Sequence, residues 1–283
     1  MLRLYNIIHI KTMGKKFRVL YVATEIKPFL NNTYVADIIR RLPQAMQEKG
    51  VEIRILVPKF GLINERKNRL HEVVRLSGMN IPIGDDDRPL IIKVASIPSA
   101  KLQVYFIDNE DYFKRKTIFN NKNGKFHKDN DERCLFFCKG VLETVIKLGW
   151  SPDIIHCNDW MSSLVPILLK TSYSDQHIIE NSKCIFSIYD NAFKEKLDKK
   201  MLEKIIDEEI NKDMLNSLNS LDYNGLIKIA SEYADAIIRP KNNLSKSLEK
   251  SIAEVSPKNK VHIIENGDNS IESHYKLYNE ILN

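Results

Sequence analysis

Phe17-Arg18-Val19-Leu20-Tyr21-Val22-Ala23, followed by Val35, Ile38, Ile39, Leu42, Ala45 and Met46 at helical spacing and closed by Gly50, decides the fold. The first run is β-branched and aromatic, the composition of a buried strand. The second recurs every three or four residues, which predicts an amphipathic helix. A strand running through a loop into a helix opens an α/β sheet. Ligands usually sit at that junction, because the helix N-terminus presents unpaired N–H groups to an anion. Such loops normally carry glycines so that the backbone can approach a phosphate. Here the loop reads Glu25-Ile26-Lys27-Pro28-Phe29-Leu30-Asn31-Asn32-Thr33-Tyr34, with no glycine.

Outward from this unit, strand and helix periods alternate. Residues 52–57 read as a buried strand ended by Pro58. Three short strands follow over 70–76, 90–95 and 102–107, with the turn-rich Gly84-Asp85-Asp86-Asp87 among their connections. Three strands with no helix between them predict an antiparallel extension at one sheet edge. Residues 114–130, rich in Lys and Asn, read as a loop. A helix is expected over 131–147, capped by Asp131 and lined by Cys134, Leu135, Cys138, Val141, Leu142 and Val145. Strands over 154–157, 184–188, 236–239 and 261–264 then alternate with helices over 160–170, 194–210, 225–233, 244–254 and 271–282. This order predicts an α/β fold, a single Rossmann-like domain with a mainly parallel sheet and helices on both faces. Residues 13–283 form that domain. Met13-Gly14-Lys15-Lys16 has the look of a natural start, so residues 1–12 are read as a disordered or mis-called extension.

Composition narrows the function classes. The chain has 283 residues, 43% apolar, enough for a large core without disulfide or metal support. Its net charge of +6 comes from 43 basic against 37 acidic residues. Lys and Glu alternate and no basic stripe carries interleaved aromatics, so nucleic acid is not the expected partner. No apolar run reaches the length of a membrane span, and the first dozen residues lack a signal-peptide cleavage site. Cys134, Cys138, Cys157 and Cys184 show no CxxC spacing; the first two read as small buried residues, and a reducing cytoplasm fits. The histidines His71, His127, His177, His262 and His274 lie apart without ligand spacing, so neither a metal nor a cofactor is expected.

Four segments fall at strand ends, where an open α/β sheet has its mouth. They are the loop above; Ser151-Pro152-Asp153-Ile154-Ile155-His156-Cys157-Asn158-Asp159-Trp160; Phe186-Ser187-Ile188-Tyr189-Asp190-Asn191-Ala192-Phe193; and Ile264-Glu265-Asn266-Gly267-Asp268. An aromatic ring beside carboxylates and amides suits a sugar, whose flat face stacks on the ring while polar groups take its hydroxyls.

Together these segments resemble the N-terminal domain of bacterial glycogen and plant starch synthases, retaining glucosyltransferases of the GT-B type that use ADP-glucose. The family's E-x-x-P-F-x-K-T-G-G-L-A-D is kept at Glu25, Pro28, Phe29, Ala36 and Asp37. Its F-I-D-N-x-x-Y-F is matched by Phe106 through Phe113, its D-N-x-E-R-x-x-F-F by Asp129 through Phe137, and its P-D-x-x-H-x-H-D-W by Pro152 through Trp160 with one change. The resemblance runs over residues 17–268 in the family's order. It implies the N-terminal half of a GT-B fold, an α-glucan and ADP-glucose as ligands, and Asp37, Tyr112, His156, Asp159 and Trp160 as substrate-binding residues. It also favours a buried Glu132–Arg133 ion pair over a surface pair.

The departures fall on chemistry. K-T-G-G becomes Asn31-Asn32-Thr33-Tyr34, which removes the lysine expected to meet the donor and puts side chains where a backbone should approach closely. The second histidine of H-x-H-D-W is Asn158, and the His-Asn of F-T-I-H-N-x-A-Y is Tyr189-Asp190. The match ends near Asn266-Gly267, where the family crosses into a second Rossmann-like domain bearing the basic residues for the donor diphosphate. The resemblance thus implies a storage-glucan protein that is inactive or weak alone, with a separate chain able to supply the second domain. Residue by residue the plainer roles stay open: Asp37 as a helix-terminus carboxylate, His156 as a bonded core residue, Trp160 as core, and Tyr112 as a loop anchor. Two other readings also remain, a non-catalytic glucan-binding or regulatory module and a remnant without selected activity.

Overall fold

The computed structural model describes residues 16–189, 191–240, 244–265, 267 and 269–283. The proposed extension over residues 1–12 and, in the strand-end segments, Asp190, Asn266 and Asp268 lie outside the described residues. Strand β1 (Arg18–Val22) passes through the loop into α1 (Val35–Glu48) and β2 (Glu52–Pro58). A short helix α2 (Glu65–Asn68) precedes β3 (His71–Glu72), β4 (Met79–Ile83), β5 (Asp86–Ile97) and β6 (Leu102–Asp108). Then come α3 (Glu110–Phe113), α4 (Asn130–Leu148), β7 (Ile154–Asn158), α5 (Val165–Lys170) and β8 (Lys183–Ser187). The remainder is α6 (Met201–Ile205), α7 (Tyr223–Tyr233), β9 (Ala236–Arg239), α8 (Lys246–Val255), β10 (Val261–Ile263) and α9 (Ser270–Leu282).

The strands form one sheet in the order β10-β9-β8-β7-β1-β2-β6-β5-β3, with β4 paired to β5. From β10 to β6 every pairing is parallel, and β3, β4 and β5 add the antiparallel extension. This is a mixed, mostly parallel α/β sheet of the Rossmann type. Strands after β1 build outward through β2 on one side, and strands after β7 build outward on the other. The order therefore reverses between β1 and β7, and a crevice opens at their carboxyl ends. The central strands are buried along nearly their whole length, as a sheet covered on both faces requires. Helix α1 buries Val35, Ile38, Ile39, Leu42 and Met46 along one stripe, and Gly50, at φ +89, closes the turn into β2. Cys134, Cys138, Cys157 and Cys184 are buried and free. Among the described residues no helix is long and apolar enough to cross a membrane.

Several expected elements come out differently. The helix predicted over 194–210 shrinks to α6, because Asp198 and Asp207 turn their carboxylates onto nearby backbone N–H groups at Lys200 and at Glu209 and Ile210. The strand over 70–76 pairs only at His71 and Glu72, then turns through Val73, Leu76 and Ser77. Strand β4, which the apolar pattern did not reveal, folds back on β5 through Gly84 and Asp85. The helix over 160–170 divides into a 3-10 turn at Trp160–Ser162 and α5. Asp131 does not cap α4; the N-cap position is Asp129, and buried Asp131 instead pairs with Lys204 at 2.8 Å. Glu132 and Arg133 form neither a buried nor a surface pair with each other. Glu132 accepts from Tyr112 Oη at 2.8 Å and pairs with Lys204, while Arg133 turns inward.

Candidate functional site

The crevice predicted at the switch point is present as a cleft of about 380 Å³. The loop after β1 contributes Thr24, Glu25, Leu30, Asn32 and Thr33, and the end of β7 contributes Asp159 and Trp160. Asn191, Phe193 and Lys194 enter from the segment after β8, and Ile118, Phe119 and Phe126 from the segment between α3 and α4.

The loop after β1 is held by one carboxylate. Buried Glu25 accepts from the N–H of Asn32 at 2.7 Å, the N–H of Thr33 at 2.8 Å and the Thr33 hydroxyl. Thr33 Oγ1 in turn accepts from the Val35 N–H at 3.2 Å, at the entry to α1. A carboxylate of the chain itself therefore takes two backbone donors in the loop where an anion would be expected. Such charge-assisted bonds are about twice as strong as neutral ones.

Asp159 sits at the end of β7 with φ +74 and ψ 162, a conformation almost confined to glycine. Its carboxylate accepts from the Trp160 N–H at 2.5 Å and from Thr24 Oγ1 at 3.2 Å. Burial pushes its pKa up to about 6, the bonds from Trp160, Asn191 and Thr24 pull it down, and the Glu25 charge nearby raises it. Strain of about 1–3 kcal/mol at one residue persists only where the surroundings over-determine it, and such residues cluster at functional sites. Trp160 packs with Phe119 (ring centroids 4.7 Å apart), Phe193 (5.0 Å) and Phe126 (6.5 Å), and Phe126 stacks on Phe193 at 5.0 Å. The cleft thus brings an aromatic cluster together with two buried carboxylates.

Part of that cluster was missed in the sequence, where residues 114–130 read as plain polar loop. Its signal is the pair Phe119 and Phe126 embedded among Lys and Asn. The segment is ordered by Arg133, whose Nη1 donates to Ile118 O and Asn130 Oδ1, each at 2.6 Å. The guanidinium lies fully buried between the rings of Phe60 and Phe113, and burial brings its pKa down to about 10. Asn130 Nδ2 and the His127 N–H both donate to Phe119 O, which fixes the other side of the segment.

Of the sequence candidates, Asp159, Trp160, Asn32 and Thr33 meet at the cleft, and the others do not line it. His156 is fully buried, with Nδ1 at 2.7 Å from Tyr278 Oη and Nε2 at 2.7 Å from Ser187 Oγ. Burial, with His274 adding to it, pushes its pKa well below the ordinary histidine value. Tyr112 is buried, donates to Glu132 and packs on Phe136. Asp37 pairs with Lys27 at 2.6 Å on the outer side of α1. Asn31 is exposed on the loop, and Tyr34 turns toward Tyr189, ring centroids 5.7 Å apart and edge to face. Tyr189 Oη donates to Asn158 Oδ1 at 2.7 Å. Three of the departures noted above, Tyr34, Tyr189 and Asn158, thus form one contiguous group at the ends of β7 and β8. Among the described residues no group of three or more His, Cys, Asp or Glu side chains is placed to hold a metal ion.

A doubly wound sheet with an aromatic, carboxylate-bearing cleft at its switch point defines a ligand-binding domain of the Rossmann type. The family described as starch synthase catalytic domain matches residues 18–252, and the chain belongs to it. It is 45% identical over 198 residues to a glycogen synthase of Chlorobium luteolum, covering 69% of this chain and 40% of that protein. With a glycogen synthase of Chlorobaculum parvum it is 37% identical over 235 residues, 83% of this chain and 48% of that one. The chain therefore spans less than half the length of these curated relatives. Among solved structures, the catalytic domain of starch synthase IV from Arabidopsis thaliana, bound to ADP and acarbose, aligns with a TM-score of 0.72 at 18% identity. That alignment covers 89% of this chain and 52% of the other, and it places the fold as one Rossmann-like half of the GT-B arrangement.

Proposed function

We propose that this chain is one half of an ADP-glucose-dependent α-glucan glucosyltransferase of cytoplasmic storage-glucan metabolism, that it holds glucan in the aromatic cleft, and that alone it transfers glucose weakly or not at all. The cleft carries the reading: Phe126 and Phe193, half-buried and backed by the buried Trp160, offer faces for sugar rings, and Asn32 and Asn191 offer partners for hydroxyls. Transfer also needs positive charge on the departing diphosphate, and such electrostatic stabilisation is usually the largest catalytic contribution. Positions 31–34 supply no cation, and Lys194 at the rim is the one basic residue lining the cleft among the described residues. The chain aligns with less than half of each relative, so the missing charge belongs to the other half of the fold, contiguous with this chain or on a separate one. A non-catalytic glucan-binding or regulatory module is the second reading. It is favoured by the mutual fit of Tyr34, Tyr189 and Asn158, which keeps the domain well packed where the family's motif residues are changed.

Two measurements on the purified chain test this. With ADP-glucose and glycogen, transfer is expected at background; turnover comparable to a full-length glycogen synthase overturns the weak-alone reading. Glycogen is expected to co-sediment the chain without nucleotide. Phe126→Ala and Phe193→Ala each weaken retention about tenfold, the worth of one aromatic stack, while Tyr112→Phe leaves it unchanged. No retention of the unaltered chain removes glucan binding from both readings.

A further inference from the structure

A second cleft, of about 520 Å³, is lined in part by Pro28 and Phe29 of the loop that follows β1. Its polar side is Lys67, Arg69 and His71, from the end of α2 and the start of β3. Its apolar side is Pro28, Phe29, Val94 and Ile97, and no carboxylate lines it. Of the other cations nearby, Lys59 and Lys93 pair with Glu65, Lys93 also with Asp108, and Lys27 with Asp37, while Arg66 is exposed and does not line the cleft. Lys67, Arg69 and His71 are exposed and have no ion-pair or side-chain hydrogen-bond partner among the described residues. Lys67 and Arg69, with the His71 imidazole, thus line one cleft that holds no carboxylate to compete with an anion. An arginine fork beside a lysine suits the several oxygens of a phosphoryl group better than a single carboxylate. The apolar side gives such a ligand a flat body to rest on, and the volume is that of a small-molecule site.

We propose that this cleft binds a phosphorylated small molecule, its phosphoryl group held by Lys67, Arg69 and His71 and its apolar body against Pro28 and Val94. The site is separate from the aromatic cleft, and the inference stands whether or not the chain binds glucan. The two clefts share one loop: Pro28 and Phe29 face this one, and Leu30, Asn32 and Thr33 face the other.

Calorimetric titration with AMP, adenosine and inorganic pyrophosphate tests the assignment, on the unaltered chain and on the Lys67→Glu/Arg69→Glu double variant. Both replaced side chains are exposed and unpartnered, so the variant keeps its fold, checked by an unchanged urea midpoint. AMP is expected to bind at least tenfold more tightly than adenosine, and charge reversal weakens AMP at least tenfold. AMP no tighter than adenosine overturns the proposal. So does AMP binding that survives the double variant, because the nucleotide then sits elsewhere. Pyrophosphate binding as tightly as AMP overturns the apolar half of the proposal.

Discussion

Asp159 concentrates the unusual physics of the cleft in one residue: a glycine-like backbone, a buried carboxyl and a neighbouring negative charge. Its pKa in the fold, about 6, lies above its value in an unfolded chain, about 3.9. The protonated form is therefore favoured on folding. The stability it contributes is full below the unfolded value and is lost as pH rises through the folded one. Between pH 4 and pH 8 that loss is about 2 kcal/mol. Asp159→Asn keeps an acceptor for the Trp160 N–H and the Thr24 hydroxyl while removing the charge. Relative to the unaltered protein, the variant is expected to gain about 2 kcal/mol across that pH range in urea unfolding. A difference that stays flat with pH shows that the carboxyl titrates normally and that the buried-charge account is wrong.

At the scale of elements, the ends of β7 and β8 and the start of α1 act as a unit. Asn158 donates to Val22 O at 3.3 Å and His156 O at 2.8 Å and accepts from Tyr189, so its amide ties β1, β7 and the segment after β8 together. Tyr189→Phe leaves Asn158 Oδ1 buried without that donor and is expected to cost about 1–3 kcal/mol. Asn158→Ala removes the partner, so the double variant should destabilise by less than the sum of the singles, with a coupling of about 0.5–3 kcal/mol. Additive effects in chemical denaturation would show that the two changes merely coexist. The strands and helices of this region were legible because each is a long apolar run or a clear 3.6-residue period. Asp159 and Trp160 were legible because they follow directly on a buried strand. The rest of the aromatic cluster was not: Phe119 and Phe126 sit in a polar segment with no period, and the Arg133 bond to Ile118 O that orders it spans 15 residues of sequence. His156 and Tyr112 carried the right motif but point into the core, which spacing along the chain does not encode. Helix α6 was overcalled because its charges looked like a solvated face, when two of its aspartates were turning the backbone.

Across the whole molecule, α9 joins the chain's last helix to its first strand. Tyr278 is fully buried, its hydroxyl 3.0 Å from Tyr21 Oη and 2.7 Å from His156 Nδ1, and Phe17 packs on both Tyr275 and Tyr278. Lys49 at the end of α1 lies over the Tyr275 ring and pairs with Glu272 at 2.5 Å. The core over β1 and β7 is thus closed by a helix more than 250 residues away in sequence, since Tyr21 and Tyr278 are 257 apart. Burying one such aromatic ring contributes about 2–3 kcal/mol, and leaving a buried polar partner unmet costs about 1–3 kcal/mol more. Removing residues 270–283 is therefore expected to lower the stability by several kcal/mol and to shift the urea midpoint down sharply, while Tyr278→Phe costs about 1–3 kcal/mol. The pH dependence separates closure from generic loss. His156 and His274 both have pKa values pushed below the ordinary value, first by burial. Their contribution is full above about pH 6.5 and is lost as pH falls through the folded values. Without α9, His156 meets water and titrates normally, so the truncated chain should lose less stability than the intact one between pH 7 and pH 5. An equal loss in both would mean that α9 packs on the sheet without sealing the histidine.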